Sequence, residues 1–294
     1  METGRRIAIV GPTATGKTAL ALELAERLDA EIVSGDSMCV YRTMDIGTAK
    51  PSTDERAHVR HHLIDVAEPD EEFSLATFAL LARAAITDIE SRGKRVILAG
   101  GTGLYVDTII GDLTLPGQFP GVKAELETDP DTIGLYQRLV SLDPTAAARM
   151  EPTNRRRIVR ALEVTIGSGQ PFSSYGPGLE AAQQAATGWQ VIGLDTDRGD
   201  LALRIAIRYQ RQLADGFLDE VRHLHESYGE QLSRTASQAL GYRQLLGHLG
   251  GRCSFDEAIT EAQRATVAFA KRQQRWFRRN PGIEWRPPET AENE

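Results

Sequence analysis

Eight residues near the start of the chain carry its clearest chemistry. Gly11, Pro12, Thr13, Ala14, Thr15, Gly16, Lys17 and Thr18 fit the pattern G-x-x-x-x-G-K-[ST]. Glycines at those positions let the backbone wrap a phosphate and point its N–H groups inward. A helix starting at the lysine adds partial positive charge to the same spot. Lys17 can then pair with terminal phosphate oxygens, and the Thr18 hydroxyl suits a Mg²⁺ that keeps most of its waters. The plain alternative is a glycine-rich turn without a ligand. The flanking pattern favours phosphate, because the apolar run Ile7-Ala8-Ile9-Val10 precedes the motif and a helical pattern follows it.

A phosphate loop does not name the reaction. Nucleoside triphosphatases of this type usually carry an Asp after an apolar strand to hold Mg²⁺. Here Val96-Ile97-Leu98-Ala99 runs instead into Gly100-Gly101-Thr102-Gly103. That leaves nucleotide kinases and other transferases that handle a diphosphate. Asp36 follows the second apolar run, in Ser34-Gly35-Asp36-Ser37-Met38-Cys39. Ligands of parallel sheets bind outside the carboxyl ends of the strands, so Asp36, Thr102 and the phosphate loop converge on one rim. A carboxylate there can strip a proton from an acceptor nucleophile. It can equally cap a helix or hold a metal-bound water.

Charge is unevenly spread. The formal net charge is −7, which by itself argues against a nucleic-acid partner. Yet residues 149–160 hold five Arg and one Glu, and residues 264–279 hold six cations and no acid. These two stretches carry +10 between them, leaving −17 for the rest of the chain. Trp276 and Phe277 interleave with the second stretch. Basic residues with aromatics suit phosphate contact and base stacking; otherwise such stretches are solvated helix faces and the aromatics are core. His58, His61 and His62 lack a matching Cys pair, and neighbouring residues of a strand face opposite ways, so a structural or substrate-lining role is expected for the last two.

The elements that must position these residues follow from periodicity. Strands are expected over residues 7–10, 31–34, 95–99 and 190–194, and helices over 17–28 and 75–90, the latter capped by Ser74. This alternation predicts an α/β fold: a P-loop-type parallel sheet flanked by helices. Residues 115–130, with Pro116, Pro120, Pro130, Gly117 and Gly121, should leave the sheet. A helical pattern follows to 166, broken near Asp143-Pro144 and Glu151-Pro152, then a small-residue linker over 168–188. From Asp197 the pattern is helical, broken at Gly250-Gly251, with Ser254 capping a helix to about residue 279 and a polar tail from Pro287. The expected organisation is a core over 1–114 and 189–294, with a helical C-terminal section, and a helical insertion over 115–188. Composition, 41% hydrophobic and 26% charged, excludes collagen, coiled coil and wholesale disorder. Two cysteines exclude a disulfide framework and point to a reducing, cytoplasmic setting. The four-residue run after Arg5-Arg6 is too short for a signal core, and no run spans a membrane.

Several longer segments occur in an order that resembles the tRNA dimethylallyltransferase (isopentenyl-transferase) family. They are residues 11–18, Asp36 to Tyr41, 44–51, 61–65, 100–105, 157–163, Gly241-Tyr242-Arg243 and 271–278. The resemblance covers almost the whole chain and is poorest over 115–135 and in the tail. It implies transfer of the five-carbon group of dimethylallyl diphosphate to the exocyclic amine of the adenosine just 3′ of a tRNA anticodon, with release of diphosphate. It implies that Asp36 is the base, that Thr102 lies beside the reacting centre, bonding Asp36 or the bridging oxygen, and that Lys17 with the rest of the loop binds diphosphate. It also implies Mg²⁺ on Thr18. Contacts to the anticodon stem-loop would come from Asp36, Ser37, Met38, Cys39, Arg156, Arg157, Arg160, Tyr242, Arg243, Lys271, Arg272, Arg275 and Arg278. Family members often carry Gln where this chain has Cys39, so that contact is changed here, or Cys39 simply packs as a small residue.

Three other readings remain at this level. An ATP-using small-molecule kinase shares the loop but leaves the basic stretches unexplained. An adenylate isopentenyltransferase should lack the insertion and the basic final helix. A non-catalytic RNA-binding module should not keep Lys17, Thr18 and Asp36 together. No membrane and no obligate protein partner is expected, and a monomer is the default.

Overall fold

The computed structural model describes residues 6–175 and 188–288. The small-residue linker and polar tail expected from sequence fall largely on 176–187 and 289–294, outside the described residues. The chain divides into two compact units, Met1–Ile110 with Ala186–Glu294, and Gly111–Ala185.

The first unit is built on a parallel sheet. Its strands are β1 (Arg6–Val10), β2 (Ala30–Ser34), β3 (His61–His62), β4 (Arg95–Gly100), β5 (Trp189–Leu194) and β6 (Glu284–Arg286), in the order β3-β2-β4-β1-β5-β6. β1 lies between β4 and β5, and its residues Ile7 to Val10 are buried, as an unbroken apolar run in a sheet covered on both faces must be. Helix α1 (Lys17–Leu28) turns Leu20, Ala21, Leu24 and Ala25 onto this sheet, where they meet Ile9, Ile32, Ile97 and Ile192. Ser74 caps α3 (Leu75–Ser91) by accepting the Thr77 N–H; α2 (Thr53–His58) precedes it with a capping box on Ser52 and Glu55. The parallel fold and the first four long strands agree with the sequence reading. β6 was not foreseen: three residues at a sheet edge carry no alternation that distinguishes them from a tail.

Helix α4 (Gly103–Ile110) leaves the end of β4. After the second unit, the chain continues through α9 (Arg198–Ala214), α10 (Phe217–Tyr228), α11 (Arg234–Ser237), α12 (Tyr242–Leu249) and α13 (Phe255–Phe277). Ser254 and Glu257 form a capping box at the start of α13. Among the described residues no helix is long and apolar enough to cross a membrane.

The second unit packs α5 (Pro120–Thr128), α6 (Thr132–Leu142), α7 (Pro144–Ala147) and α8 (Arg155–Ser168) around Leu126, Leu135, Leu139, Ile158 and Leu162. The breaks fall at Asp143-Pro144 and before Arg155, as expected. Helix α5 was missed. Pro120 reads as a breaker in sequence, but at the first helical position its fixed φ and absent N–H cost nothing. The buried Glu163 carboxylate accepts the Phe119 N–H at 2.8 Å, anchoring that helix start.

Candidate active site

The phosphate loop joins β1 to α1 at the carboxyl edge of the sheet. Gly11 has φ 141°, and a Cβ there would meet the Leu194 carbonyl oxygen at 2.2 Å. Only glycine lets β1 turn out beside β5. Within the loop, Thr15 Oγ1 donates to the Pro12 carbonyl at 2.9 Å, and Lys17 Nζ donates to the same oxygen at 2.6 Å. Burial pushes the Lys17 ammonium down to about 8, against a smaller opposing pull from Asp36.

Asp36 stands at the end of β2. Its Oδ1 accepts the Met38 N–H at 2.8 Å, an Asx turn that orients the carboxylate. The segment after β4 packs directly beside it. Gly100 has no room for a side chain, since a Cβ would lie 2.3 Å from the Gly35 carbonyl oxygen. This contact brings Thr102 next to the Asp36 segment. Thr102 N–H donates to the Gly35 carbonyl at 3.3 Å, and Thr102 Oγ1 accepts the Ser37 N–H at 3.2 Å and lies 3.3 Å from Ser37 Oγ. Of the two expected partners of Thr102, Asp36 and the bridging oxygen, the Asp36 carboxylate is not the one engaged among the described residues. Thr102 holds the residue after Asp36 rather than the carboxylate.

Thr13, Lys17, Thr18, Asp36, Gly100 and Gly101 line one cleft of about 240 Å³, together with Cys39, Thr48 and His61; Thr102 is not among the residues that line it. Arg208, on α9, lines it too and was missed from sequence. Its Nη1 donates to Thr13 Oγ1 at 2.7 Å, and its buried Nε has no partner among the described residues. Burial lowers the pKa of its guanidinium. A signal did exist: Arg208 falls in the stripe of the buried Leu201, Ile205 and Tyr209, where a cation is out of place. Lys17 and Arg208 thus sit at one loop without a carboxylate hydrogen-bonded to either among the described residues. Such a pair is expensive unless an anion joins it. Cys39 is buried, and burial with the nearby Asp36 charge pushes its thiol well up, so it remains neutral. His61 faces the cleft, whereas His62 Nε2 lies 2.7 Å from Glu31 Oε2, so the two rings serve different surroundings. Among the described residues no group of three or more His, Cys, Asp or Glu could hold a metal.

The residues expected to meet RNA separate into two kinds. Lys271, Arg272, Arg275, Arg278 and Arg243 are exposed, as are Arg156 and Arg157 in the second unit. Arg278 Nη2 is engaged by Asp195 at 2.6 Å. Tyr242 is a correction: it is fully buried, and its hydroxyl donates to Glu220 at 2.5 Å. Glu220 also accepts the N–H groups of Asp45, Ile46 and Gly47, so Tyr242 helps brace the loop that carries Thr48 into the cleft. Arg160 is likewise committed inside its own unit, to Glu163 at 2.9 Å and to the carbonyls of Pro116 and Gly117. Phe277 is core, and the half-buried Trp276 is anchored by donating its Nε1–H to Asp107 at 2.8 Å.

A family model described as IPP transferase matches residues 39–280. A tRNA dimethylallyltransferase of Streptomyces coelicolor is 46% identical over 284 residues, covering 96% of this chain and 89% of the relative. The solved tRNA delta(2)-isopentenylpyrophosphate transferase of Staphylococcus epidermidis is 36% identical with a TM-score of 0.69, covering 96% of this chain and 93% of that one. A solved eukaryotic dimethylallyltransferase acting on tRNA superposes with a TM-score of 0.83 at 26% identity, covering 97% of this chain and 74% of that one. With most of its length matched by the family and by such relatives, the chain belongs to the IPP transferase family.

Proposed function

We propose that the chain transfers the dimethylallyl group of dimethylallyl diphosphate to the exocyclic amine of the adenosine 3′-adjacent to the anticodon in tRNA. The observation that carries this reading is the pairing of two half-buried cations, Lys17 and Arg208, at the phosphate loop on the same rim as the Asp36 carboxylate. One side of the cleft suits a leaving diphosphate and the other a proton acceptor.

The chemistry is a displacement. The adenine nitrogen forms a bond to the C1 carbon of the donor, the carbon–oxygen bond to diphosphate breaks, and the nitrogen gives up a proton. Asp36 accepts that proton, held for the task by its Asx turn. Lys17, Arg208 and the loop N–H groups stabilise charge growing on the diphosphate. Thr102 fixes the Asp36 segment through Ser37. Holding donor and acceptor in line supplies much of the rate. The donor set fits Mg²⁺: Thr18 offers one hydroxyl, no carboxylate cage stands by among the described residues, and Mg²⁺ is usually bound through few protein ligands, waters and substrate phosphates. When bound there, Mg²⁺ would neutralise part of the diphosphate charge. The target base must leave its stack to reach the cleft.

Exposed Lys271, Arg272, Arg275 and Arg243, with Arg156 and Arg157 on the insertion, support contact with the anticodon stem-loop. A cytoplasmic, monomeric enzyme is the corresponding setting. The test is transfer of label from dimethylallyl diphosphate with Mg²⁺ to a tRNA bearing adenosines around the target position. Label in that RNA is the expected result. Label in free AMP, or ATP turnover without prenylation, would instead establish the adenylate isopentenyltransferase or the kinase reading.

A further inference from the structure

Gln273 lies buried on α13, and the two ends of its amide reach different loops. Its Oε1 accepts the Thr13 N–H at 2.9 Å, and its Nε2 donates to the Gly101 carbonyl at 2.8 Å. Thr13 belongs to the phosphate loop. Gly101 immediately precedes Thr102, which holds the Asp36 segment. One side chain therefore spans the gap between the group that receives the leaving diphosphate and the segment that carries the proton acceptor.

The residue type fits this position alone among side chains of its length. Gln supplies a donor and an acceptor on one planar group; Glu supplies only acceptors when ionised, and Met supplies neither. The fit is close, because a Cβ at Gly101 would fall 2.3 Å from Nε2. One turn on, Trp276 packs its ring against Gly103 and donates to Asp107, so the same helix braces the far side of the Thr102 loop. The outer face of that helix carries the exposed Lys271, Arg272 and Arg275.

We propose that Gln273 is a positioning residue for the transfer step, setting the spacing between the diphosphate loop and the Thr102–Asp36 wall from the helix that meets RNA. This rests on the function proposed above. A displacement of about 1 Å between reacting groups is enough to cost on the order of 10²-fold in rate.

The test compares wild type, Gln273→Met, Gly101→Ala and the double variant. Readouts are single-turnover transfer to tRNA, KM for tRNA, affinity for inorganic diphosphate and the urea midpoint. Gln273→Met should slow transfer by about 10-fold or more, weaken inorganic diphosphate binding, and leave KM for tRNA within about twofold, because the outer cations are untouched. Gly101→Ala should show the same split between rate and KM, since its methyl displaces the amide. The double variant should be no slower than the worse single, because both remove one contact. Multiplicative losses, a rise in KM for tRNA at unchanged rate, or wild-type transfer by Gln273→Met would overturn the assignment. If Gln273→Met fails to fold, Gly101→Ala decides alone by the same split. If wild type transfers nothing to tRNA, the proposed function fails, and the diphosphate affinities still report whether Gln273 holds the loop.

Discussion

Lys17 Nζ donates to the Pro12 carbonyl across 2.6 Å, inside the loop that its own side chain must serve. A single carbonyl dipole is weak compensation for a half-buried ammonium. That is why burial drives this lysine down to about 8.

The shift has a pH signature. Below about 8 Lys17 is charged; above it the free protein holds a neutral amine. Diphosphate favours the charged form, so binding takes up a proton above that pH. Affinity for inorganic diphosphate, corrected for the ligand's own titration, should fall up to about tenfold per pH unit above 8. Lys17→Met should bind more weakly and lose that slope; an unchanged slope would move the titration elsewhere. For folding the sign is reversed. A lowered lysine pKa is a cost below about 8 that fades as pH rises toward 10.5, so Lys17→Met should raise the melting temperature more at pH 7 than at pH 10.

Asp36→Asn keeps the Oδ1 acceptor for Met38 and removes the proposed base. Single-turnover transfer should drop by about 10²-fold or more, with tRNA affinity retained. Transfer near the wild-type rate would retire Asp36 from that role.

Arg208→Met removes a half-buried cation whose buried Nε has no partner among the described residues. Inorganic diphosphate should bind about 10²-fold more weakly, the scale of truncating one member of a buried charge pair. The urea midpoint should hold or rise, because desolvation of this guanidinium outweighs the opposing pull of Asp36. Undiminished diphosphate binding would make Arg208 a brace for Thr13 only.

On α13 the exposed cations are not equivalent. Lys271→Ala and Arg275→Ala should each reduce the salt slope of tRNA binding by about one. Arg278→Ala should change it less, because Asp195 already holds that guanidinium. Equal slopes for all three would reject the ranking.

Tyr242→Phe probes the opposite case. It should cost about 1 kcal/mol of stability through the lost bond to Glu220, and leave the salt slope unchanged. A flatter slope would return Tyr242 to the RNA surface.

Much of the centre was legible because its residues act through backbone position. The phosphate loop and α1 follow from glycine spacing and the four-residue recurrence of Leu20, Leu24 and Leu28, and Ser74 and Ser254 announce their helices by side-chain capping. Asp36 and Thr102 were placed together by strand ends alone. Arg208 and Gln273 were not, because both lie on long helices rich in polar residues, and only packing decides which polar side chain turns inward. The same limit misplaced Tyr242 and hid the carbonyl partners of Arg160. The type of Tyr242 suits RNA, and nothing local reveals that Glu220 already claims it, whereas Glu163 stands one turn from Arg160 on the same helix, a pairing the spacing alone offered.

Thr13 is held from α9 by Arg208 and from α13 by Gln273, contacts that reach 195 and 260 residues along the chain. The phosphate loop is among the first parts made and among the last to be completed. During synthesis, β1 and α1 can form early, yet the loop gains its Arg208 fastener only with α9 and its Gln273 fastener only when the final long helix docks. A nascent or shortened chain that stops before Gln273 would carry the whole phosphate motif and still bind diphosphate poorly. Competence at the donor site is thereby made conditional on a finished α13.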